Sequence, residues 1–170
     1  MTILTKNEIL KEIKKGNIKI KPFKKSQVGP GSVDLHLGNE FRVFKKVHKV
    51  VHVDNKADHK KVTEKVIVKN HILLMPGETI QGITKEKITL APNICGWLEG
   101  RSRFSRLGLL VHISASFIQP GISNKQVLEM SNMSQMPLAI YPGTAICQMI
   151  FERAEGKAKY KGRFARQKSV

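Results

Sequence analysis

The sequence is poor in cysteine, in aromatic residues and in acidic residues. Only Cys95 and Cys147 occur in 170 residues, too few for a disulfide framework or a four-cysteine zinc site. No apolar run approaches the ~20 residues that a membrane-spanning helix needs, and residues 1–15 carry no hydrophobic signal segment. We therefore expect a protein of the reducing cytoplasm with no membrane partner.

The shortage of acidic residues leaves a large positive charge. Thirty Lys and Arg residues stand against thirteen Asp and Glu residues, a net charge of +17. Such a charge favours anionic partners, which include nucleotides, phosphorylated metabolites and nucleic acid. The excess is concentrated in residues 45–69 and 153–170, and a solvated basic face is the simplest explanation for it. Because zinc-finger spacing, a clear helix-turn-helix and an aromatic RNA-binding signature are all missing, nucleic-acid binding has no specific support.

Short stretches of alternating apolar and polar residues indicate a mainly β chain. An amphipathic helix is predicted over residues 5–15, ended by Gly16, and a second short helix over residues 101–107. Strands are predicted at residues 32–38, 41–53, 66–68, 72–74 and 80–83. A polar loop is predicted at residues 54–61, and Pro-Gly turns are predicted at residues 76–77, 120–121 and 142–143. This pattern favours a β-barrel or jelly-roll-like body in one domain, residues 1–170.

The segment GRSRFSRLG, residues 100–108, combines hydroxyl and guanidinium groups with a predicted helical turn. Ser102 and Arg106 are four residues apart and therefore share one helix face. Free backbone N–H groups and arginine side chains at the start of a helix suit a phosphate group. A capped, solvated basic helix is the alternative that the segment alone leaves open.

Glu129 lies in a predicted strand, where strand alternation places it on the same face as Val127 and opposite Leu128. An isolated glutamate in a strand usually faces solvent and becomes a catalytic candidate only if the fold places it in a cleft. His112 follows an apolar run, where a hydrogen-bonded core histidine is the simplest expectation. The basic residues 160–168 are either a frayed terminus or a segment that folds over an anion.

Several familiar catalytic and binding motifs are missing. The zinc-deaminase signature requires H-x-E and P-C-x-x-C, which two distant cysteines cannot supply. Phosphate-loop, dinucleotide-binding and nucleophile-elbow motifs are also absent. These familiar mechanisms are therefore excluded for this chain.

In this order, the segments resemble the dCTP deaminase branch of the dUTPase superfamily over nearly the whole chain. The matching segments are KNEILKEIKKGNIKIKP, GSVDLHLGNEF, WLEGRSRFSRLGLLVHISASFIQPG, VLEMSNMSQMPLAIYPGTAICQMIFE and the tail with Tyr160, Arg163 and Gln167. Each segment is weak evidence by itself, whereas five in the same order are strong.

The resemblance implies a homotrimer of distorted β-barrels of the dUTPase fold, with active sites between subunits. It implies hydrolytic deamination of dCTP to dUTP and ammonia, Mg2+ bound only through the triphosphate, and dTTP as a candidate inhibitor. Glu129 would be the general acid/base, and Ser102 and Arg106 would complete the catalytic set. Residues 154–170 would cover the nucleotide. The nucleotide-binding residues implied by the resemblance are Arg101, Ser102, Arg103, Phe104, Ser105, Arg106, His112, Ala115, Gln119, Val127, Leu128, Glu129, Gln148, Tyr160, Arg163 and Gln167.

Departures from the family pattern limit what the resemblance implies. Gln119 stands where the family usually has an aspartate, and a neutral amide cannot act as a base in hydrolysis. Ser116 and Asn124 replace frequent glycines, Arg103 replaces a small serine, and His36 replaces an arginine. We therefore expect a deaminase that releases dUTP. Further hydrolysis of dUTP to dUMP and diphosphate is one alternative, and a catalytically weakened protein that binds nucleotide or nucleic acid is another.

Overall fold

A computed structural model describes residues 2–46, 50–112 and 114–170. Strands dominate these residues, with three short α-helices and one 3-10 turn at Lys25–Gln27. In chain order the elements are α1 (Lys6–Lys14), β1 (Ile18–Lys21), β2 (Val33–Phe44), α2 (His59–Val62), β3 (Thr63–Ile67), β4 (Ile72–Leu74), β5 (Thr79–Leu90), β6 (Ile94–Gly100), α3 (Ser102–Ser105), β7 (Leu109–Val111), β8 (Phe117–Ile118), β9 (Ser123–Asn132), β10 (Leu138–Ile140) and β11 (Ala145–Arg153).

Helix α1 forms as the sequence predicts, within one residue at each end. Thr5 is its N-cap residue, and Gly16 follows the helix with a φ of 77°, a left-handed conformation that glycine adopts readily. Ile9 is fully buried on the apolar face. Glu12 is also buried, and its carboxylate accepts hydrogen bonds from Asn17 and Arg153 that offset the cost of its burial. The helix is therefore attached to the barrel by apolar packing together with one buried polar cluster.

A curled nine-stranded sheet forms the body. Its main path runs β7-β9-β5-β2-β11-β6-β8, with β1 paired to β5 and β3 paired to β2, while β4 and β10 form a separate pair. The strand pairs are antiparallel, and the register shifts in the β5–β9 pair between Ile83 and Lys87. Shifts of this kind bend a sheet and let it curl around a core. Inward-facing residues such as Leu35, Phe41, Leu128 and Phe151 fill that core.

The strand predicted over residues 41–53 is wrong at residues 45–46 and 50–53. Strand β2 ends at Phe44, which pairs with Thr63, the first residue of β3. Val50 and Val53 are 84% and 95% exposed and lie outside any strand, and residues 47–49 fall outside the described part of the chain. Val50 and Val53 are not paired with a neighbouring strand, so alternation of apolar and polar residues alone does not form a strand here.

Other differences concern lengths and one extra helix. The polar loop predicted over residues 54–61 ends in α2, whose N-cap Asp58 accepts a hydrogen bond from the Lys60 backbone at 3.0 Å. Strand β5 extends seven residues past the predicted 80–83, to Leu90. The three predicted Pro-Gly turns are all present. The expected mainly β fold is confirmed, and within the described residues no helix is long and apolar enough to cross a membrane.

Candidate active site

A cavity of about 850 Å³ opens on one face of the barrel. One wall is the outward face of β9, which carries Val127 and Glu129, and a second is formed by Phe117 of β8 together with Gln119. The C-terminal residues and the start of α2 complete its lining. The cavity therefore brings together segments that are far apart in the sequence.

Glu129 enters the cavity because of strand alternation along β9. Odd-numbered residues of this strand are partly exposed and even-numbered residues are buried, so Leu128 points into the core while Glu129 points away from it. The Glu129 side chain is 35% exposed. Across the sheet it pairs with Gln81 of β5, which also lines the cavity. The fold thus places this glutamate in a cleft, the condition that makes it a catalytic candidate.

His112 is the hydrogen-bonding partner of Glu129. Its Nδ1 lies 3.0 Å from Glu129 Oε2, and its backbone N–H donates to the Glu129 carbonyl oxygen at 2.7 Å. The His112 side chain is 7% exposed, and its φ of 56° lies in the left-handed region. That conformation is uncommon outside glycine, although asparagine, aspartate and histidine adopt it more often than other residues, and it turns the chain at the end of β7. His112 is thus a buried, hydrogen-bonded histidine, as the sequence suggests, but its partner is the candidate catalytic residue.

The two residues set the protonation state of the site. Burial by itself would raise the pKa of Glu129. The hydrogen bond and the positive charge of His112 outweigh burial, with a smaller contribution from the charge of His59, and the pKa of Glu129 lies below its ordinary value. Glu129 is therefore a carboxylate at neutral pH, able to accept a proton. Among the described residues, the side chain that hydrogen-bonds the Glu129 carboxylate is His112, whereas Ser102 and Arg106, which the resemblance assigns to the same catalytic set, are not in contact with it within one chain.

The C-terminal segment lies along the cavity. The Tyr160 backbone N–H donates to the Pro120 carbonyl oxygen at 3.0 Å, and the Lys125 backbone N–H donates to the Gln167 carbonyl oxygen at 3.1 Å. Arg163 donates from its guanidinium to the Ala57 carbonyl oxygen at 3.3 Å. Residues 160–168 therefore pack against the barrel beside the cavity, and their folding over a bound anion stays a prediction.

The basic segment around α3 lies outside this cavity. Ser102, Arg103 and Arg106 are exposed, and Phe104 is partly buried against the core. Arg101 is an exception within the segment, since its guanidinium pairs with the Asp34 carboxylate at 3.1 Å. The side chains best suited to phosphate therefore point to solvent in a single chain.

The structure divides the predicted site residues into two groups. The first group lines the cavity and consists of His112, Ala115, Gln119, Val127, Glu129, Tyr160, Arg163 and Gln167. The second group consists of described residues that are not part of the cavity lining, namely Arg101, Ser102, Arg103, Phe104, Ser105, Arg106, Leu128 and Gln148.

Leu128 and Gln148, two members of the second group, are held by contacts within the barrel. The Leu128 side chain is fully buried in the core, so only its backbone is available to a ligand. Gln148 is engaged elsewhere, because its Oε1 accepts a hydrogen bond from Ser32 Oγ at 2.8 Å. Strand alternation turns the Leu128 side chain inward, so the nucleotide contact predicted for Leu128 would have to come from its backbone, and it stays a prediction.

Sequence patterns gave no indication of several cavity residues. Asp58, His59 and Lys60 at the start of α2 line the cavity, although they belong to a segment expected to be a plain polar loop. Gln81 of β5 lines the cavity because it lies opposite Glu129 in the β5–β9 strand pair. The Asn124 side chain contacts the C-terminal segment. Each of these placements depends on long-range pairing, which a local pattern does not reveal.

Comparison with known proteins identifies the family. A family model described as dCTP deaminase-like matches residues 3–154. The dCTP deaminase of Marinomonas sp. is 42% identical over 166 residues, covering 91% of this chain and 85% of that protein. The protein of Nocardioides sp. named dCTP deaminase, dUMP-forming, is 37% identical over 175 residues, covering 98% of this chain and 91% of that protein.

A solved structure supports the same conclusion at the level of the fold. The 2'-deoxycytidine 5'-triphosphate deaminase from Agrobacterium tumefaciens superposes with a TM-score of 0.68 at 21% identity, over 90% of this chain. The chain spans 48% of the length of that crystallised chain. The resemblance drawn from the sequence motifs is confirmed: the chain belongs to the dCTP deaminase-like family.

Proposed function

We propose that this protein deaminates dCTP hydrolytically to dUTP and ammonia, with Glu129 as the general acid/base. The observation that carries the proposal is the Glu129–His112 pair at 3.0 Å in a cavity of about 850 Å³. Because the pKa of Glu129 lies below its ordinary value, the carboxylate is ready to accept a proton. The names of the relatives, dCTP deaminase in both cases, support the choice of substrate.

The reaction needs one proton acceptor that later becomes a donor. Glu129 takes a proton from the water that attacks C4 of the cytosine ring, and the new C–O bond forms. The carboxylic acid then returns a proton to the amino group, the C4–N bond breaks and ammonia leaves. His112 holds the carboxylate through its Nδ1 and stabilises its ionised form before the attack. No net proton is gained or lost by the enzyme.

The triphosphate is assigned to the basic segment around α3, acting from a second copy of the chain. Ser102 and Arg106 are exposed and lie outside the cavity lining of their own chain. A homotrimer with sites between subunits would bring these groups of one subunit to the cavity of the next. There Ser102 and Arg106 would hold the attacking water and stabilise the charge that develops on the ring. Tyr160, Arg163 and Gln167 would close over the phosphates.

We assign Mg2+ to the nucleotide and no zinc to the protein. Among the described residues, no group of three or more His, Cys, Asp or Glu side chains is placed to hold a metal ion. A hard cation such as Mg2+ is commonly bound through substrate phosphate oxygens. When bound, it would neutralise part of the triphosphate charge. dTTP, with the same triphosphate, is assigned to the site as an inhibitor.

Hydrolysis of dUTP is a second candidate activity, favoured by the relatives named dUMP-forming. Gln119 lines the cavity at the position where the family usually carries an aspartate. A neutral amide can hydrogen-bond a sugar hydroxyl but cannot take a proton from water. We therefore assign release of dUTP as the main outcome.

Product analysis tests these assignments directly. Purified protein is incubated with dCTP and Mg2+, and the products are separated by ion-exchange chromatography beside a Glu129→Gln control. Accumulating dUTP supports the proposal, and dUMP would show that Gln119 permits hydrolysis. Unchanged dCTP with wild-type protein would overturn the deaminase assignment and favour a protein that only binds nucleotide.

A further inference from the structure

Helix α2 places a second histidine in the lining of the cavity that contains Glu129. His59 is the first residue of α2, it lines the cavity, and its side chain is 34% exposed. The proposed reaction uses Glu129 and His112 and gives His59 no part. A half-buried imidazole that lines a cavity beside a candidate catalytic carboxylate is available to a ligand that enters there.

Hydrogen bonds from the sheet fix the backbone at His59. The Thr63 hydroxyl donates to the His59 carbonyl oxygen at 2.8 Å, and Arg42 Nη1 donates to the Thr63 hydroxyl oxygen at 2.9 Å. Thr63 is 2% exposed, and Asp58 caps the helix by accepting a hydrogen bond from the Lys60 backbone. Strand β2 therefore holds the first residue of α2 at a defined place beside the sheet.

The strand register connects Arg42 with the candidate catalytic carboxylate. Arg42 of β2 lies opposite Gln81 of β5, which lies opposite Glu129 of β9. Neighbouring strands are about 4.8 Å apart, so roughly 10 Å of outward-facing sheet separates Arg42 from Glu129.

The His59 imidazole lies within electrostatic reach of both ends of this row. Burial and the charge of Arg42 lower the pKa of His59. Against the effect of burial, His112 and then protonated His59 lower the pKa of Glu129. The imidazole therefore lies in the space next to Glu129, where the reacting part of a substrate would be bound.

An uncharged imidazole suits a nucleobase better than a phosphate group. Because the pKa of His59 is below the ordinary histidine value, its ring is uncharged at neutral pH. A planar ring can stack on a base, and the two ring nitrogens offer one hydrogen-bond donor and one acceptor. Phosphate groups are bound best by cationic side chains, which an uncharged His59 does not provide.

We propose that His59 is a binding residue for the pyrimidine base, which it contacts while Glu129 acts on C4 of the same ring. The identity of the ligand rests on the proposed function. The contact adds affinity for dCTP that inorganic triphosphate, which has no base, does not share. It contributes to binding and not to proton transfer, which Glu129 carries.

Two histidine substitutions test this contact. His59→Ala removes the imidazole and leaves the backbone carbonyl that Thr63 binds. His71→Ala is the matched control, since His71 is not among the described residues that line the cavity and its ring centroid lies 5.2 Å from that of Tyr141. Glu129→Gln serves as the common background, because the amide prevents turnover of dCTP during a binding measurement.

Calorimetry with dCTP and with inorganic triphosphate, each in the presence of Mg2+, is the test. We expect His59→Ala to bind dCTP about tenfold more weakly than the background protein, within the range for loss of one base–aromatic contact. Its affinity for inorganic triphosphate should be unchanged, and His71→Ala should bind both ligands as the background does. Unchanged affinity of His59→Ala for dCTP would overturn the proposal. An equal loss for both ligands would also overturn it, because His59 would then act on the phosphates or on the fold of α2.

Turnover by protein with Glu129 intact separates this inference from the proposed activity. With dCTP as substrate, His59→Ala should raise KM about tenfold and keep kcat within about threefold of wild type. Weaker dCTP binding by His59→Ala, with no dCTP turnover by wild type, would support the contact and overturn the proposed function alone. Deamination by wild type with unchanged dCTP binding in His59→Ala would overturn the contact alone. Failure of wild type to bind dCTP would overturn both.

Discussion

The wall around Glu129 and the segment around α3 carry the two halves of the expected chemistry, and they are built in opposite ways. Glu129 and its partner His112 are fixed by a strand pair, by two hydrogen bonds and by burial. Ser102 and Arg106 lie on a four-residue helix with their side chains in solvent. The proposed proton-transfer groups are therefore positioned within one chain, whereas the proposed anion-binding groups are exposed and would need a second surface opposite them.

The difference follows from what each half has to do. A carboxylate that exchanges protons with a ring needs a fixed position and a tuned pKa, and a sheet beside a buried histidine provides both. Guanidinium and hydroxyl groups that hold a triphosphate have to meet a large, charged ligand, which would be costly to desolvate within a closed cavity. Division of the site between subunits is consistent with both requirements.

Glu129→Gln should give the largest loss of activity. The amide preserves the size of the side chain but cannot take a proton, so we expect dCTP deamination to fall by about 10³-fold or more. Binding of dCTP should remain within a few-fold of wild type, as measured by calorimetry. Full activity in this variant would remove Glu129 from the mechanism and make the cavity wall a binding surface only.

Arg106→Ala should cost about 10²–10³-fold in kcat if its guanidinium stabilises charge in the reaction. The variant also tests the division between the two regions, because it can be mixed with Glu129→Gln. If each site combines Glu129 of one subunit with Arg106 of another, an equal mixture of the refolded inactive variants should recover about a quarter of the wild-type sites.

The control for this mixture is each variant refolded alone. A mixture that stays as inactive as its components, although mass measurements show that mixed oligomers have formed, would place both groups in one chain. The proposal that one chain supplies Glu129 and another chain supplies the anion-binding residues of the same site would then be wrong.

His112→Asn should produce a smaller change, seen best as a shift with pH. Asparagine tolerates the left-handed backbone at this position but carries no positive charge. Burial, which raises the pKa of Glu129, would no longer be opposed by the imidazole, so the pKa should rise. The proposed mechanism needs Glu129 as a carboxylate, so activity should be lost as the pH falls below its pKa, and the acidic limb of kcat/KM should move to higher pH.

At pH values below the pKa of Glu129 in both proteins, kcat/KM of His112→Asn should be roughly tenfold lower than that of wild type for each unit by which the pKa has risen. Glu129→Gln provides the baseline without a titrating carboxylate. An acidic limb that stays at the wild-type pH in His112→Asn would show that the histidine positions Glu129 without controlling its ionisation.

Local sequence patterns predicted the parts of the molecule that depend on neighbours in the chain. Helix α1, the alternation that turns Glu129 outward and the Pro-Gly turns follow from periodicity and backbone preference, and the order of motifs identified the family. The Glu129–His112 contact joins residues seventeen positions apart through a left-handed turn. No periodic pattern encodes such a contact. The strand wrongly predicted at residues 45–46 and 50–53 has the same origin, because alternation cannot indicate whether a partner strand is present.

Arg153→Ala should have the smallest effect on activity, because Arg153 lies outside the lining of the cavity. Its guanidinium donates at 3.1 Å to Glu12, whose side chain is 1% exposed. We expect the free energy of unfolding to fall by about 1–3 kcal/mol, since the buried carboxylate keeps Asn17 and Lys15 as partners. Values of kcat and KM for dCTP should stay within about twofold of wild type while the protein is folded.

The pH dependence of stability gives the second arm of this test. The hydrogen bond from Asn17 lowers the pKa of Glu12 in the folded protein, and Arg153 and Lys15 add to the effect against the opposing influence of burial. A lowered folded pKa stabilises the protein fully above the ordinary glutamate value and loses that contribution as the pH falls through the folded value. Arg153→Ala should therefore show a shallower loss of stability on acidification, measured by urea unfolding across this range. An unchanged slope together with a large loss of activity would mean that Glu12 is not stabilised through Arg153, and that α1 influences the cavity.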